Sequence, residues 1–235
     1  MAATLYLIPV PMGGDTLSDI LPADVIEIAK QLTYFVVENA KTSRAHLKMF
    51  GTPHELRSLQ MGELSEHTKD HELFALLKPL LDGIDVGLMS EAGCPGVADP
   101  GARLVQLAHQ RGIKVVPLVG PSSLLLALMA SGANGQKFRF NGYIPSDATG
   151  RVQAIRALES SSAKEAQAEL LIETPYRNGA LFAALISTLK ADTRLTVACD
   201  ITLPSQHIVT HDIAHWKKQP EPNLHKRPTV FIIQA

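Results

Sequence analysis

Five short segments of this chain carry residue types suited to chemistry. The richest is Ser90-Glu91-Ala92-Gly93-Cys94-Pro95-Gly96-Val97-Ala98-Asp99-Pro100-Gly101. Its glycines let the backbone approach a ligand closely, and its prolines hold the loop in shape. Asp99-Pro100 also reads as a helix cap followed by proline at the first helical position, so 99–101 is expected to be a structural turn. Glu91, Ala92, Gly93 and Cys94 are then the ligand contacts. Gly120-Pro121-Ser122-Ser123 presents hydroxyls and open N–H groups at a helix start, which suits a carboxylate or another anion, or is an ordinary serine-rich first turn. In Pro9-Val10-Pro11-Met12-Gly13-Gly14 the prolines remove donors and leave carbonyls free for a cationic or adenine-bearing ligand. Glu173-Thr174-Pro175-Tyr176-Arg177 offers a carboxylate, a ring and a guanidinium, as a site or as a solvated loop. Lys41, Arg44 and Lys48 share one helix face at i, i+3 and i+7, where they hold phosphates or simply meet solvent.

Several chemistries are excluded. The glycine-rich loop has neither the lysine of a P-loop nor Gly-x-Gly-x-x-Gly spacing, and the chain has no Gly-x-Ser-x-Gly elbow. The nine histidines are scattered and the two cysteines, Cys94 and Cys199, lie one in each half, so no metal and no disulfide framework is expected. A formal net charge of −1 rules out a global field that would draw the chain onto nucleic acid or a membrane, so any RNA contact must be a local patch. The first residues lack a basic lead and no run reaches the ~20 apolar residues that span a bilayer, which predicts a cytoplasmic protein.

These segments need elements to position them. With 46% hydrophobic and 19% charged residues, the composition is that of a folded protein, and 235 residues suggest two compact units. Apolar, β-branched runs at 5–10, 34–37, 86–89 and 114–118 alternate with helical spacing over 17–32, 42–50, 69–81 and 100–110, which predicts βα units on a mainly parallel sheet with helices on both faces. The pattern changes at the Gly120-Pro121 step, where an apolar helix over 122–131 begins. Domains of 1–119 and 120–235 are therefore expected. In the second, strands near 138–143, 169–173, 194–199, 206–211 and 229–234, with helices near 151–160 and 178–190, predict a mixed sheet. Ligand loops lie at the carboxyl ends of the strands.

In order along the chain, these motifs resemble the tetrapyrrole methylase superfamily, and within it the branch that methylates a ribose 2′-hydroxyl of small-subunit ribosomal RNA. Leu5 to Gly13 looks like the branch's opening strand, and Ser90 to Gly101 like its Ser-Asp-Ala-Gly-Thr-Pro…Asp-Pro-Gly loop. Val116 to Ser123 is similar to its interdomain segment, Asn141 to Pro145 to its Gly-Phe-Leu-Pro, and Glu173 to Arg177 to its Glu-Ser-Pro-His-Arg. The resemblance implies two α/β domains, usually a homodimer, with S-adenosylmethionine in a cleft between them. Pro11, Glu91, Ala92, Gly93, Cys94, Ser122, Ser123, Thr174, Tyr176 and Thr202 are then the expected cofactor contacts, Lys41, Arg44 and Lys48 the expected substrate contacts, and Glu173 the expected base for a hydroxyl acceptor.

The chain departs from the branch on the acceptor side. Met12-Gly13-Gly14-Asp15 stands for Ile-Gly-Asn-Leu, Glu38-Asn39-Ala40-Lys41 for Glu-Asp-Thr-Arg, and Glu91 for Asp. Two alternatives therefore stand beside a ribosomal RNA methyltransferase: a methyltransferase for a small molecule such as a tetrapyrrole, and a non-catalytic S-adenosylmethionine-binding module.

Overall fold

The computed structural model describes residues 3–14, 17 and 20–235. The chain divides into two compact units, Met1–Ser122 and Ser123–Ala235.

The first unit runs β1 (Thr4–Leu7), α1 (Ala23–Gln31), β2 (Tyr34–Val37), α2 (Ala40–Phe50), β3 (Gln60–Glu63), α3 (Asp70–Leu81), β4 (Val86–Met89), α4 (Gly101–Gln110) and β5 (Lys114–Pro117). Its strands lie in the order β3-β2-β4-β1-β5, all parallel. From β1 to β3 the chain travels toward one edge, then crosses back to β4 and β5. Right-handed crossovers therefore put α1 and α2 on one face and α3 and α4 on the other.

Alternate side chains along each strand supply the two cores. Leu5, Val36, Val86 and Leu88 join Leu73, Leu77 and Leu104 on one face. Ile8, Phe35, Val37 and Met89 join Ala29, Leu47 and Phe50 on the other. Each such buried side chain contributes about 1.5–3 kcal/mol. Gly87, in the middle of β4, has no room for a side chain, because a Cβ there would lie 2.6 Å from Ile8 Cδ1 and 2.8 Å from Phe35 Cδ1.

Three elements differ from the sequence expectation. β3, Gln-Met-Gly-Glu, carries no apolar run and was not anticipated; it forms by parallel pairing with β2 from Tyr34↔Gln60 to Val37↔Glu63. Helix α1 begins at Ala23 rather than 17, because Pro22 sits in extended conformation at its cap (φ −58°, ψ 144°) and disfavours helix in the residue before it. Residues 18 and 19 of that expected helix lie outside the described residues, as does Asp15. At α4 the cap lies one residue away from expectation: Pro100 occupies the boundary, and Asp99 Oδ1 accepts from Gly96 N (2.7 Å) and Gly101 N (2.8 Å).

The second unit runs α5 (Ser123–Ser131), β6 (Phe138–Phe140), α6 (Ala148–Glu165), β7 (Ala168–Ile172), α7 (Asn178–Thr188), β8 (Arg194–Cys199), β9 (His207–Asp212), α8 (Ile213–Trp216) and β10 (Thr229–Gln234). Its sheet is mixed, in the order β6-β7-β10-β8-β9 with β6 parallel to β7 and the other pairs antiparallel. Leu171, Val197 and Phe231 from the sheet pack with Ile155, Leu181, Phe182 and Trp216 from α6, α7 and α8. Helix α6 extends beyond the expected 151–160. Asp147 caps its start through Gly150 N (2.7 Å), and near its end Ser162 Oγ donates to Gln167 O (2.7 Å). Among the described residues no helix is long and apolar enough to cross a membrane.

Candidate active site

In an open parallel sheet ligands bind outside the carboxyl ends of the strands, where successive connections leave in opposite directions. In the first unit that point falls between β1 and β4, whose following loops lie side by side. Val10 N donates to Gly93 O (2.9 Å) and Gly93 N returns a bond to Val10 O (3.1 Å). This pair ties Pro11 to the Glu91–Cys94 turn, which needs Gly93 in the left-handed region at φ 71°. Cys94 Sγ lies 3.2 Å from the Pro121 carbonyl, next to Ser122, and burial raises the thiol's pKa. Pro11, Glu91 to Cys94 and Ser122 therefore gather at one end of one sheet.

The loop is also fastened to α2. Thr42 Oγ1 donates to Glu91 Oε1 (3.3 Å), and His46 Nε2 lies 3.1 Å from Glu91 O, donating when it carries the ring hydrogen. Glu91 N donates to Glu38 Oε2 (3.2 Å) at the end of β2. Helix α2, capped by Asn39 Oδ1 at Lys41 N and Thr42 N, is the helix that carries Lys41, Arg44 and Lys48. Thr42 and His46 were not singled out from the sequence, and Glu38 entered only as the first residue of the acceptor-side segment 38–41. Glu38 had a signal, since it follows a strand as Glu91 does; Thr42 and His46 had none.

Partial burial raises the Glu38 pKa from its ordinary value, reinforced by the negative charges of Glu91, Asp99 and Glu66 and opposed by the Glu91 N–H. Burial likewise raises Asp99. A carboxyl that holds its proton more tightly in the fold contributes stability below its unfolded pKa, and that stability is lost as pH rises through the folded value. Glu38→Gln keeps the acceptor for Glu91 N and removes the charge. We expect it to raise the melting temperature by about 1–2 °C near pH 8, and by less near pH 5, in paired thermal melts. A pH-independent shift, or a fall near pH 8, would contradict the assignment.

In the second unit, Ser123 opens α5. Glu173, at the end of β7, is buried; its Oε1 accepts from Thr174 N (2.6 Å) and Arg177 Nη2 (2.7 Å). Tyr176 is 70% exposed, edge-on to His225 and 5.8 Å from Lys226 Nζ. Thr202, with φ 73°, donates its N–H to Gln206 Oε1 (2.9 Å), while its buried Oγ1 has no hydrogen-bond partner among the described residues. The Thr174–Tyr176 and Thr202 loops are both anchored to the segment before β10. Lys226 N donates to Pro175 O (3.0 Å), and Arg227 Nε to Asp200 Oδ2 (2.8 Å). Among the described residues no group of three or more His, Cys, Asp or Glu is placed to hold a metal ion.

No family model matches the chain. A crystal structure of the methyltransferase CobJ superposes with a TM-score of 0.63 over 99% of this chain and 93% of that one, at 18% identity, which establishes that the two proteins share a fold. Among sequence relatives, ribosomal RNA small subunit methyltransferase I of Escherichia coli O157:H7 is 28% identical over 98% of this chain and 77% of its own length. That of Synechocystis sp. is 30% identical over 84% of this chain and 67% of its own. The chain belongs to the ribosomal RNA small subunit methyltransferase I family, and it is a methyltransferase.

Proposed function

We propose that this protein transfers the methyl group of S-adenosylmethionine to a ribose 2′-hydroxyl of ribosomal RNA. Beyond family membership, one observation carries the reading: Thr42 and His46 bond α2 to Glu91, so the helix bearing Lys41, Arg44 and Lys48 and the cofactor loop form one positioned unit. The residues suit such a cofactor. Open N–H groups at Ser122 and Ser123 would take its carboxylate, and Glu91 its ammonium or ribose. Pro11, Ala92, Gly93, Cys94 and Thr174 would supply backbone contacts, Tyr176 an aromatic face, and the buried Thr202 hydroxyl a hydrogen bond. When bound, S-adenosylmethionine supplies an electrophilic methyl group on a sulfonium centre.

The protein's part is placement. Lys41, Arg44 and Lys48 hold backbone phosphates, and alignment of the acceptor lowers the barrier. For the hydroxyl proton two carboxylates compete. Glu173 is buried and paired with Arg177, so only Oε2 is left to accept. Glu38 reaches solvent and has a raised pKa, which favours it as the base. The proposed working form is a cytoplasmic homodimer.

Labelled methyl transfer to small-subunit ribosomal particles tests the reading. Label is expected in RNA, with kcat/KM lowered about 10–100-fold when Lys41, Arg44 and Lys48 are all changed to alanine. Glu38→Gln is expected to lower kcat about 10²-fold or more, and Glu173→Gln less; the reverse order would return the role to Glu173. Label in small molecules alone would establish the small-molecule reading, and cofactor binding without product in any fraction the non-catalytic one.

A further inference from the structure

A second candidate phosphate-binding surface lies in the second unit, on residues given no role above. A groove of about 670 Å3 is lined by Arg156, Ser160, Lys164, Thr188 and Lys190, together with Glu159. Arg156, Ser160 and Lys164 stand at i, i+4 and i+8 of α6 and form a single stripe about 12 Å long. Lys190 follows α7 and is fixed beside the stripe: Glu159 Oε1 accepts from Lys190 N (2.7 Å) and Thr193 Oγ1 (2.6 Å). Glu159 is buried, so the acid lining the groove is engaged in holding its wall. Arg156, Lys164 and Lys190 enter no ion pair among the described residues.

Three cations with open donors and two hydroxyls, spread along a line rather than converging on a point, match a chain of phosphodiesters better than a single small anion. Arginine adds a planar donor fork suited to phosphate. We infer that this groove binds the backbone of an RNA strand without reading its sequence, and so adds to the grip that α2 exerts in the first unit. The inference rests on the RNA reading above.

The test uses the whole protein and a fluorescein-labelled oligouridylate of about 20 nucleotides, followed by anisotropy over a salt series. Changing Arg156, Lys164 and Lys190 to alanine is expected to weaken binding about 10–100-fold near 0.1 M salt. It should also flatten the dependence of log K on log salt by about 2, from ~0.7 per lost phosphate contact. Calorimetric binding of S-adenosylmethionine should not change, and a glutamine triple variant should reproduce the loss if the alanine protein folds poorly. As a control, Lys217 and Lys218 are changed to alanine, which should leave affinity within about twofold.

If wild type binds the oligonucleotide and the triple variant matches it in affinity and slope, the groove inference fails while the RNA reading stands. A control that loses as much as the triple variant would assign the effect to diffuse charge and overturn the groove. Tighter binding of polyglutamate than of the oligonucleotide, lost in the same triple variant, would assign the groove to an acidic protein segment. No binding of wild type to the oligonucleotide or to ribosomal RNA would overturn the RNA reading and this inference together.

Discussion

Gly120→Ala is expected to destabilise the first unit by about 3 kcal/mol and to abolish tight binding of S-adenosylmethionine. A Cβ at position 120 would lie 2.2 Å from Pro9 Cβ and 2.4 Å from Pro9 Cγ, with Leu21 Cδ2 at 3.2 Å. A flexible side chain could swing aside, but a proline ring is fixed to its backbone, so one of the two loops at the carboxyl edge must move. Displacing the loop after β1 also displaces Val10, whose paired bonds with Gly93 set the Glu91–Cys94 turn. Gly93→Ala is the informative comparison. Its Cβ would meet nothing closer than 3.5 Å, so its cost is the left-handed conformation alone, about 1 kcal/mol. Denaturant melts and calorimetric titration should rank Gly120→Ala well below Gly93→Ala; equal effects would mean that the edge is not held by this contact.

The second large effect is expected at Arg227, in the other unit. Its Nε donates to Asp200 Oδ2 (2.8 Å), Nη1 to Asn223 O (2.8 Å) and Nη2 to Ser205 O (2.7 Å), so one side chain ties the loop before β10 to both ends of the β8–β9 loop that carries Thr202. Asp200 is buried and sits at φ 50°, and its charge, hydrogen-bonded to the guanidinium, raises the Arg227 pKa. Arg227→Ala leaves that carboxylate with Ser205 Oγ as its remaining side-chain donor and should cost about 3 kcal/mol. Arg227→Lys keeps the charge but cannot reach three acceptors in a planar fork, and should recover only part of the loss. Thermal melts of the two variants decide this, and full recovery by lysine would show that charge alone matters.

Much of this was legible in sequence because it is local. The runs 34–37, 86–89 and 194–199 became strands as expected, since β-branched and apolar residues in short blocks suit a buried sheet. The candidate ligand loop after β4 stood out by its glycines and its place after a strand. The hydrogen bond between Glu173 and Arg177 spans four residues and was within reach of the same reading. By contrast, Gln-Met-Gly-Glu became β3 through its pairing with β2 and no pattern of its own.

The amino-acid order alone thus settled most element types other than β3, the α/β class and the segments that line the strand ends, because backbone propensity, capping and apolar period act over a few residues. Tertiary structure alone decided the partners. Glu91 meets Thr42 at a sequence separation of 49 and His46 at one of 45. Glu159 fixes Lys190 at a separation of 31. Such contacts depend on strand order and helix packing, which arise from burying the whole core at once and leave no period in the chain.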